Sequence, residues 1–288
     1  MAKIVVLGSN GQLGSDLMQV LADGHELIAS TKANVDAASA NVTAQLEPYA
    51  SADYIINCIA TTNVDGCEDN PQAAFVINSG FVVQLSQFCQ AHDITLIHLS
   101  TDYVFDGSNQ LPYSENDQPR PLNVYGLSKY AGEIAIKNYA NKHFILRVSS
   151  LFGVAGASGK GGNFVTTMLR LASEKDSWTV IDDQLTCPTH TLDIARAIKA
   201  LIEQNVTDYG IYNCVSSSSC SWFEFTQEIL RQTGNNPAKV KPVSYHEYKF
   251  KALRPQYGIM AVAKLSKYYV MPSYQAALSE YLKLKYPI

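Results

Sequence analysis

Ile4-Val5-Val6-Leu7-Gly8-Ser9-Asn10-Gly11-Gln12-Leu13-Gly14 is the stretch on which the reading of this chain turns. Its first four residues are apolar and mostly β-branched, the pattern of a buried strand. The run stops at Gly8. From Gln12 onward, Leu13, Leu17, Val20 and Leu21 recur at helical spacing. A strand, a G-x-x-G-x-x-G bend and a helix in immediate succession suit a phosphate-binding turn. Gly8 permits the tight bend, Gly11 lets a pyrophosphate approach the backbone, and Gly14 lets the helix pack on the sheet. The helix start adds unpaired N–H groups and a partial positive charge.

Outward from this turn the alternation continues. Strand-like runs fall at residues 26–30, 54–59, 94–99 and 144–148, and helical patterns at 73–91 and 123–140. Such alternation predicts an α/β fold, a Rossmann-type doubly wound parallel sheet buried on both faces. Residues 1–150 are read as the dinucleotide-binding domain. Residues 151–288 are read as a smaller mixed α/β substrate-binding region. The boundary is soft, because the last strands of the sheet can come from the second half. There, helices are expected at 164–173, 191–203 and 222–232, the last opened by a Ser221-x-x-Glu224 capping box. Gly153, Gly156, Gly159, Gly161 and Gly162, with Ser158 and Lys160 among them, are read as a mobile loop or one that orders on a ligand. Pro237, Pro242, Pro255 and Pro272 break up the remainder.

Hydrophobic residues at 47% against 17% charged ones indicate a globular chain, not a disordered one. A net charge of −4 gives no footprint for nucleic acid. Cys58, Cys67, Cys89, Cys187, Cys214 and Cys220 form no C-x-x-C pair and no zinc spacing, so they are read as free thiols. The histidines are scattered, and no metal ligand is assigned. The N-terminal apolar run is too short for a secretion signal, and no stretch is long enough to span a bilayer. A cytoplasmic location without membrane or nucleic-acid partners is expected.

Tyr125-Gly126-Leu127-Ser128-Lys129 is Y-x-x-x-K within a helical segment, an i, i+4 pair on one face. An ammonium beside a phenol lowers its pKa from about 10. Tyr125 could then protonate a developing alkoxide while Lys129 hydrogen-bonds a nicotinamide ribose. Ser100 and Thr101 end the fourth strand, at the edge where open sheets bind ligands, and a hydroxyl there can polarise a carbonyl oxygen. At the end of the second strand, Ala29-Ser30-Thr31-Lys32 has no carboxylate for a ribose diol. Hydroxyls and Lys32 suit a 2′-phosphate, so NADP(H) is expected in preference to NAD(H).

The order of these features resembles that of the extended short-chain dehydrogenase/reductases. Several blocks are similar to the dTDP-4-dehydrorhamnose reductase family more closely. They are Gly8 to Gly14, Val64-Asp65-Gly66-Cys67-Glu68, Ser100-Thr101-Asp102-Tyr103-Val104-Phe105-Asp106-Gly107, Asn123 to Lys129 with Gly132-Glu133, and Cys220 to Phe225. The resemblance covers nearly the whole chain. It implies a catalytic set of Thr101, Tyr125 and Lys129. Gly8, Gly11, Gln12 and Leu13 would hold the pyrophosphate, with Asn10 of the same turn also at the cofactor. Ile59 and Ala60 would flank its ribose, and Ser100 would lie beside it. Thr62, Val64 and Tyr103 would line the substrate side, and Arg254 could pair with a nucleotide diphosphate. The implied reaction is reduction of the 4-keto group of a nucleotide-linked 6-deoxy sugar.

Three positions depart from that family's pattern. Thr61 stands where a Tyr is usual, Ser150 lies near a usual Trp, and Gly258 ends an R-P-x-x-S segment that reads Arg254-Pro255-Gln256-Tyr257-Gly258. All fall on the substrate side. The alternatives are a reductase or epimerase for another nucleotide sugar, and a non-catalytic NADP-binding regulatory subunit. Some relatives use a magnesium-stabilised homodimer. No carboxylate cluster in the sequence calls for that ion, so magnesium is not carried over and a homodimer stays open.

Overall fold

The five apolar runs of the first half become parallel strands: β1 (Lys3–Leu7), β2 (Glu26–Ser30), β3 (Tyr54–Asn57), β4 (Thr95–Thr101) and β5 (His143–Val148). A sixth, β6 (Gly210–Asn213), arrives from the second half and pairs with β5. The sheet order is β6-β5-β4-β3-β1-β2, with every neighbouring pair parallel. The chain steps from β1 to β2 on one side and then crosses to β3 on the other. The order therefore reverses between β1 and β3, which is where an open sheet binds its ligand. This computed structural model describes residues 1–156 and 162–286; Ser158, Gly159, Lys160 and Gly161 of the glycine-rich stretch lie outside the described residues.

Side chains alternate between the two faces of each strand. Ile4 and Val6 face Leu13 and Leu17 of α1 (Gln12–Val20). Val5 and Leu7 join Phe81, Leu85 and Phe88 of α2 (Phe81–Ala91) and Ile136 of α3 (Val124–Tyr139). The predicted helix over 73–91 is three pieces, Pro71–Phe75, a π-helical turn at Val76–Gly80, and α2.

Beyond residue 150, α4 (Phe164–Glu174), α6 (Trp222–Gln232) and α7 (Tyr274–Lys285) build a separate core around Phe152, Trp178, Phe225 and Tyr281. The Ser221–Glu224 capping box is formed, with both reciprocal bonds present. Between α4 and α6 runs α5 (Thr191–Glu203), whose Ile194, Ile198 and Leu201 join the β1 face with α1. A cut at residue 150 thus divides a shared core, because β6 is a strand of the first sheet and α5 packs on its face. Among the described residues no helix is long and apolar enough to cross a membrane.

Candidate active site

The glycine turn sits at the sheet's reversal point. Gly8 has φ of +77°, in the left-handed region where a Cβ is penalised. Its N–H, the Ser9 N–H and the Ser9 hydroxyl all donate to the Ser30 carbonyl at the end of β2, at 2.8, 3.0 and 3.1 Å. A Cβ on Gly14 would lie 2.2 Å from the Gly8 carbonyl oxygen, so only glycine lets α1 start this close to the bend. Gly11 is the N-cap, with no side-chain cap and no acid in the first turn of α1. The helix start therefore keeps open amides for an anion. Gln12 Oε1 and Ser30 Oγ, both at this bend, are buried without a protein partner among the described residues. The donor set fits a dinucleotide diphosphate. Asn10 is exposed at the apex, and Leu13 is buried beneath it. Lys32 projects into solvent, its side chain 85% exposed, with Asp36 at 3.9 Å.

Tyr125 is placed by the start of α3. Asn123 caps that helix, its Oδ1 accepting from the Gly126 N–H at 2.8 Å. A Cβ on Gly126 would stand 2.1 Å from the Tyr103 carbonyl oxygen, so glycine lets α3 press against the end of β4. Tyr103 and Tyr125 consequently meet edge to face, with ring centroids 5.7 Å apart. Thr101 shares a hydrogen bond with Tyr125. Its own hydroxyl proton goes to Asp102 Oδ1 at 3.0 Å, and its oxygen also accepts the Tyr103 N–H at 3.2 Å. With Thr101's single proton on Asp102, Tyr125 is the donor of the pair. The resting chain is Tyr125 to Thr101 to Asp102. Burial raises the Asp102 carboxyl to about 6, against hydrogen bonds from Ser149 and Thr101.

Two expectations are corrected here. The phenol of Tyr125 is not lowered by Lys129. Burial raises its pKa, the Thr101 hydrogen bond opposes that rise, and the Asp102 and Cys67 charges reinforce it. Lys129 is instead buried at 2% exposure, with Nζ 3.2 Å from His98 Nε2 and donating to the Leu99 carbonyl at 2.5 Å. Burial pushes Lys129 down to about 8, against the charge of Glu133. Ser100 likewise turns away from the cleft. It donates to Glu133 Oε1 at 2.6 Å, and Glu133 is held by Arg147 through bonds of 2.9 and 2.7 Å. Its hydroxyl serves a buried ion pair, so any cofactor contact falls to its backbone.

The loop after β3 closes the cleft. Asn57 Oδ1 accepts the Ile59 N–H at 3.0 Å, which sets the course of the chain at Cys58 and Ile59 beside Gly8, with Ala60 following. The π-helical turn inserts Asn78, whose amide accepts from the Thr61 N–H, donates to the Thr61 carbonyl and donates to Ser128 Oγ. Thr61 is therefore held by its backbone, whatever its side chain. Thr62 is exposed on the same loop, and Val64 opens the short helix Val64–Asp69. Across from it Arg254 donates to Asp65 Oδ2 at 2.9 Å and lies over the Phe250 ring at 4.3 Å. That bond holds the Asp65 carboxyl below its usual range.

The other two departures converge on Asp102. Ser149 donates to Asp102 Oδ2 at 2.7 Å, and Thr186 links Ser149 to Ser150 at 2.8 and 2.5 Å. A Cβ on Gly258 would lie 3.0 Å from Asp102 Oδ2. Asn57, Asn78, His98 and Asp102 are functional neighbours that sequence reasoning missed; each is a buried polar residue in or beside an apolar run, and that was their signal.

Away from the cleft, His190, Asp193 and Glu280 bring potential ligand atoms within 4.8 Å of one another. Arg196 bonds both carboxylates there, so a cation already neutralises the cluster. Two open hollows, of about 620 and 900 Å³, lie at the β6 edge and at the amino ends of the strands. Neither includes the glycine turn or Tyr125, and open sheets bind at the carboxyl ends.

The profile of one protein family, the RmlD substrate binding domain, matches residues 2–286. The spore coat polysaccharide biosynthesis protein SpsK of Bacillus subtilis is 34% identical over 285 residues, covering 98% of each chain. The crystal structure of a dTDP-4-dehydrorhamnose reductase from Clostridium acetobutylicum superposes with a TM-score of 0.90 at 32% identity, over 98% of this chain and 99% of that one. The reductase of the same name from Bacillus anthracis, in complex with NADP, gives 0.88 at 34% identity over 98% of both chains.

Proposed function

This chain belongs to the RmlD substrate binding domain family, and from that premise we propose that it reduces the 4-keto group of dTDP-4-dehydrorhamnose to a hydroxyl with NADPH. The observation that carries the reading is the junction of Thr101, Tyr125 and Asp102 at the carboxyl end of β4, within the cleft that the glycine turn borders. The related reductase from Bacillus anthracis binds NADP, which supports that cofactor. Bound at the α1 start, the dinucleotide supplies the hydride.

The chain's own residues do the rest. The open amides of α1 bind the diphosphate, and Ile59 and Ala60 border the ribose. Thr62, Val64 and Tyr103 line the substrate side. Thr101 turns its hydroxyl from Asp102 to the ketone oxygen and polarises it. Tyr125 delivers the proton that the new alkoxide needs, and a phenol whose pKa is raised keeps that proton at neutral pH. Arg254 exchanges Asp65 for the substrate's diphosphate, an exchange between two anionic acceptors.

Consumption of NADPH with dTDP-4-dehydrorhamnose, and a product bearing a C4 hydroxyl, test this reading. Lys32→Ala should reduce the preference for NADPH over NADH by only a few-fold, because an exposed charge contributes about 1 kcal/mol or less. No turnover with that sugar, but turnover with another nucleotide sugar, would reassign the substrate to the altered positions Thr61, Ser150 and Gly258. No turnover with any would favour a binding subunit.

A further inference from the structure

Lys129 sits in a hydrogen-bond chain whose polarity is fixed from its far end. Asn57 Oδ1 is committed to the Ile59 N–H at 3.0 Å, a backbone donor that cannot reverse. The Asn57 side chain is 1% exposed, so its other end, Nδ2, is what faces His98 Nδ1 at 3.0 Å. An NH₂ group only donates, so His98 Nδ1 must be the bare nitrogen. The neutral ring then carries its proton on Nε2, 3.2 Å from Lys129 Nζ. An ammonium has three N–H donors and no lone pair; opposite another N–H it has nothing to offer. A neutral amine accepts that N–H through its lone pair and still donates to the Leu99 carbonyl at 2.5 Å.

The reverse arrangement, with an ammonium and an amide flipped at Asn57, sets two N–H groups against each other at Ile59. Protonating both ring nitrogens does the same. Burying such an unpaired donor is expensive.

The charged groups around Lys129 do not undo this. Glu133, on the same helix, is neutralised by the buried Arg147 of β5 and by Ser100 of β4. Cys58, after β3, is a thiol that burial pushes up to about 12. His98, on β4, is pushed well below its ordinary value by burial and by Lys129.

We propose that Asn57 and His98 are positioning residues that set the charge of Lys129, parking it as a neutral amine on His98 while the cleft is empty. Negative charge entering the cleft draws a proton from solvent onto Lys129. The resulting ammonium no longer fits beside the Nε2–H and turns toward the cleft. The pair is thus a switch that supplies the cation only when a ligand is present. Its kinetic meaning rests on the reductase reading, but the hydrogen-bond polarity does not.

Nitrogen NMR of the full-length, ligand-free chain labelled at histidine ring nitrogens reads the tautomer without turnover. Expected is a bare Nδ1 and a protonated Nε2 on His98, unchanged between about pH 7 and 9. The Lys129 side-chain carbon signal should titrate below about pH 7, because the pairing with the Nε2–H adds to the lowering that burial already causes. Asn57→Asp offers acceptors to both Ile59 and His98, which moves the ring proton to Nδ1 and the lysine midpoint up by about one pH unit or more. Should that variant not fold, the wild-type spectra decide alone. A His98 protonated on Nδ1 in the native chain, or a Lys129 that remains an ammonium above about pH 8, overturns the proposal. Loss of NADPH turnover with the expected tautomer present would instead count against the reductase reading only.

Discussion

The two sides of the cleft are held by different means. On the cofactor side, three bonds tie the glycine bend to Ser30, and the buried Lys129 lies between His98 and Leu99. On the substrate side, Arg254 is held by an ion pair to Asp65, which is 46% exposed, by a bond to the Ala252 carbonyl and by the Phe250 ring beneath it. A closely packed bend tolerates little change, since a Cβ at Gly14 meets the Gly8 carbonyl. A half-exposed ion pair can be exchanged for a ligand. Of the three departures from the family's pattern, Thr61 is held by backbone bonds to Asn78, while Ser150 and Gly258 lie around Asp102. The contrast sets a closely packed bend against an exchangeable ion pair.

That contrast makes graded predictions. Tyr125→Phe removes the proton donor and should lower kcat by about 100-fold or more with little change in the NADPH dissociation constant, measured by fluorescence titration. A loss under about tenfold would break the assignment of chemistry to this side. Arg254→Ala should act on the other quantity, raising the KM for nucleotide sugar about 10- to 100-fold while kcat changes little, as expected for a charged hydrogen bond worth about 1.5–3 kcal/mol. Equal losses in both parameters would place Arg254 in the transition state instead.

Asp102, between the two sides, gives a smaller effect with a definite sign. Its carboxyl is raised from 3.8 to about 6, so between those values the folded chain holds more protons than the unfolded one. Its contribution to stability therefore falls as the pH rises through that window. Activity should rise through the same window, since the carboxylate accepts from both Thr101 and Ser149 while the acid turns one of those oxygens into a donor. Asp102→Asn should flatten both profiles, checked by denaturant unfolding and by kcat/KM against pH.

Much of this was legible in the sequence, for stated physical reasons. Periodicity gave the five first-half strands to within a few residues, and α5 and α6 to the residue. The glycine bend was legible because steric demands at Gly8 and Gly14 admit one residue type. The break at Val76–Gly80 was not, because a π-helical turn keeps helical periodicity and is selected by Asn78's contacts with Thr61 and Ser128. The helix α7 was hidden behind Pro272, although Tyr274, Ala277, Leu278, Tyr281 and Leu282 follow helical spacing and Ser273 caps it. Spacing placed Tyr125 and Lys129 on one helix but could not tell that Lys129 would be captured by His98, which lies thirty-one residues away in the chain and on another element.

The most direct measurement is isotope transfer. NADPH carrying deuterium at the reactive nicotinamide carbon is mixed with the protein and dTDP-4-dehydrorhamnose, and the sugar product is examined by NMR and mass spectrometry. Deuterium on C4 beside a new hydroxyl, formed rapidly by the native chain and about 100-fold or more slowly by Tyr125→Phe, is the predicted result. Sugar recovered unlabelled, or labelled equally fast by both proteins, would contradict the account.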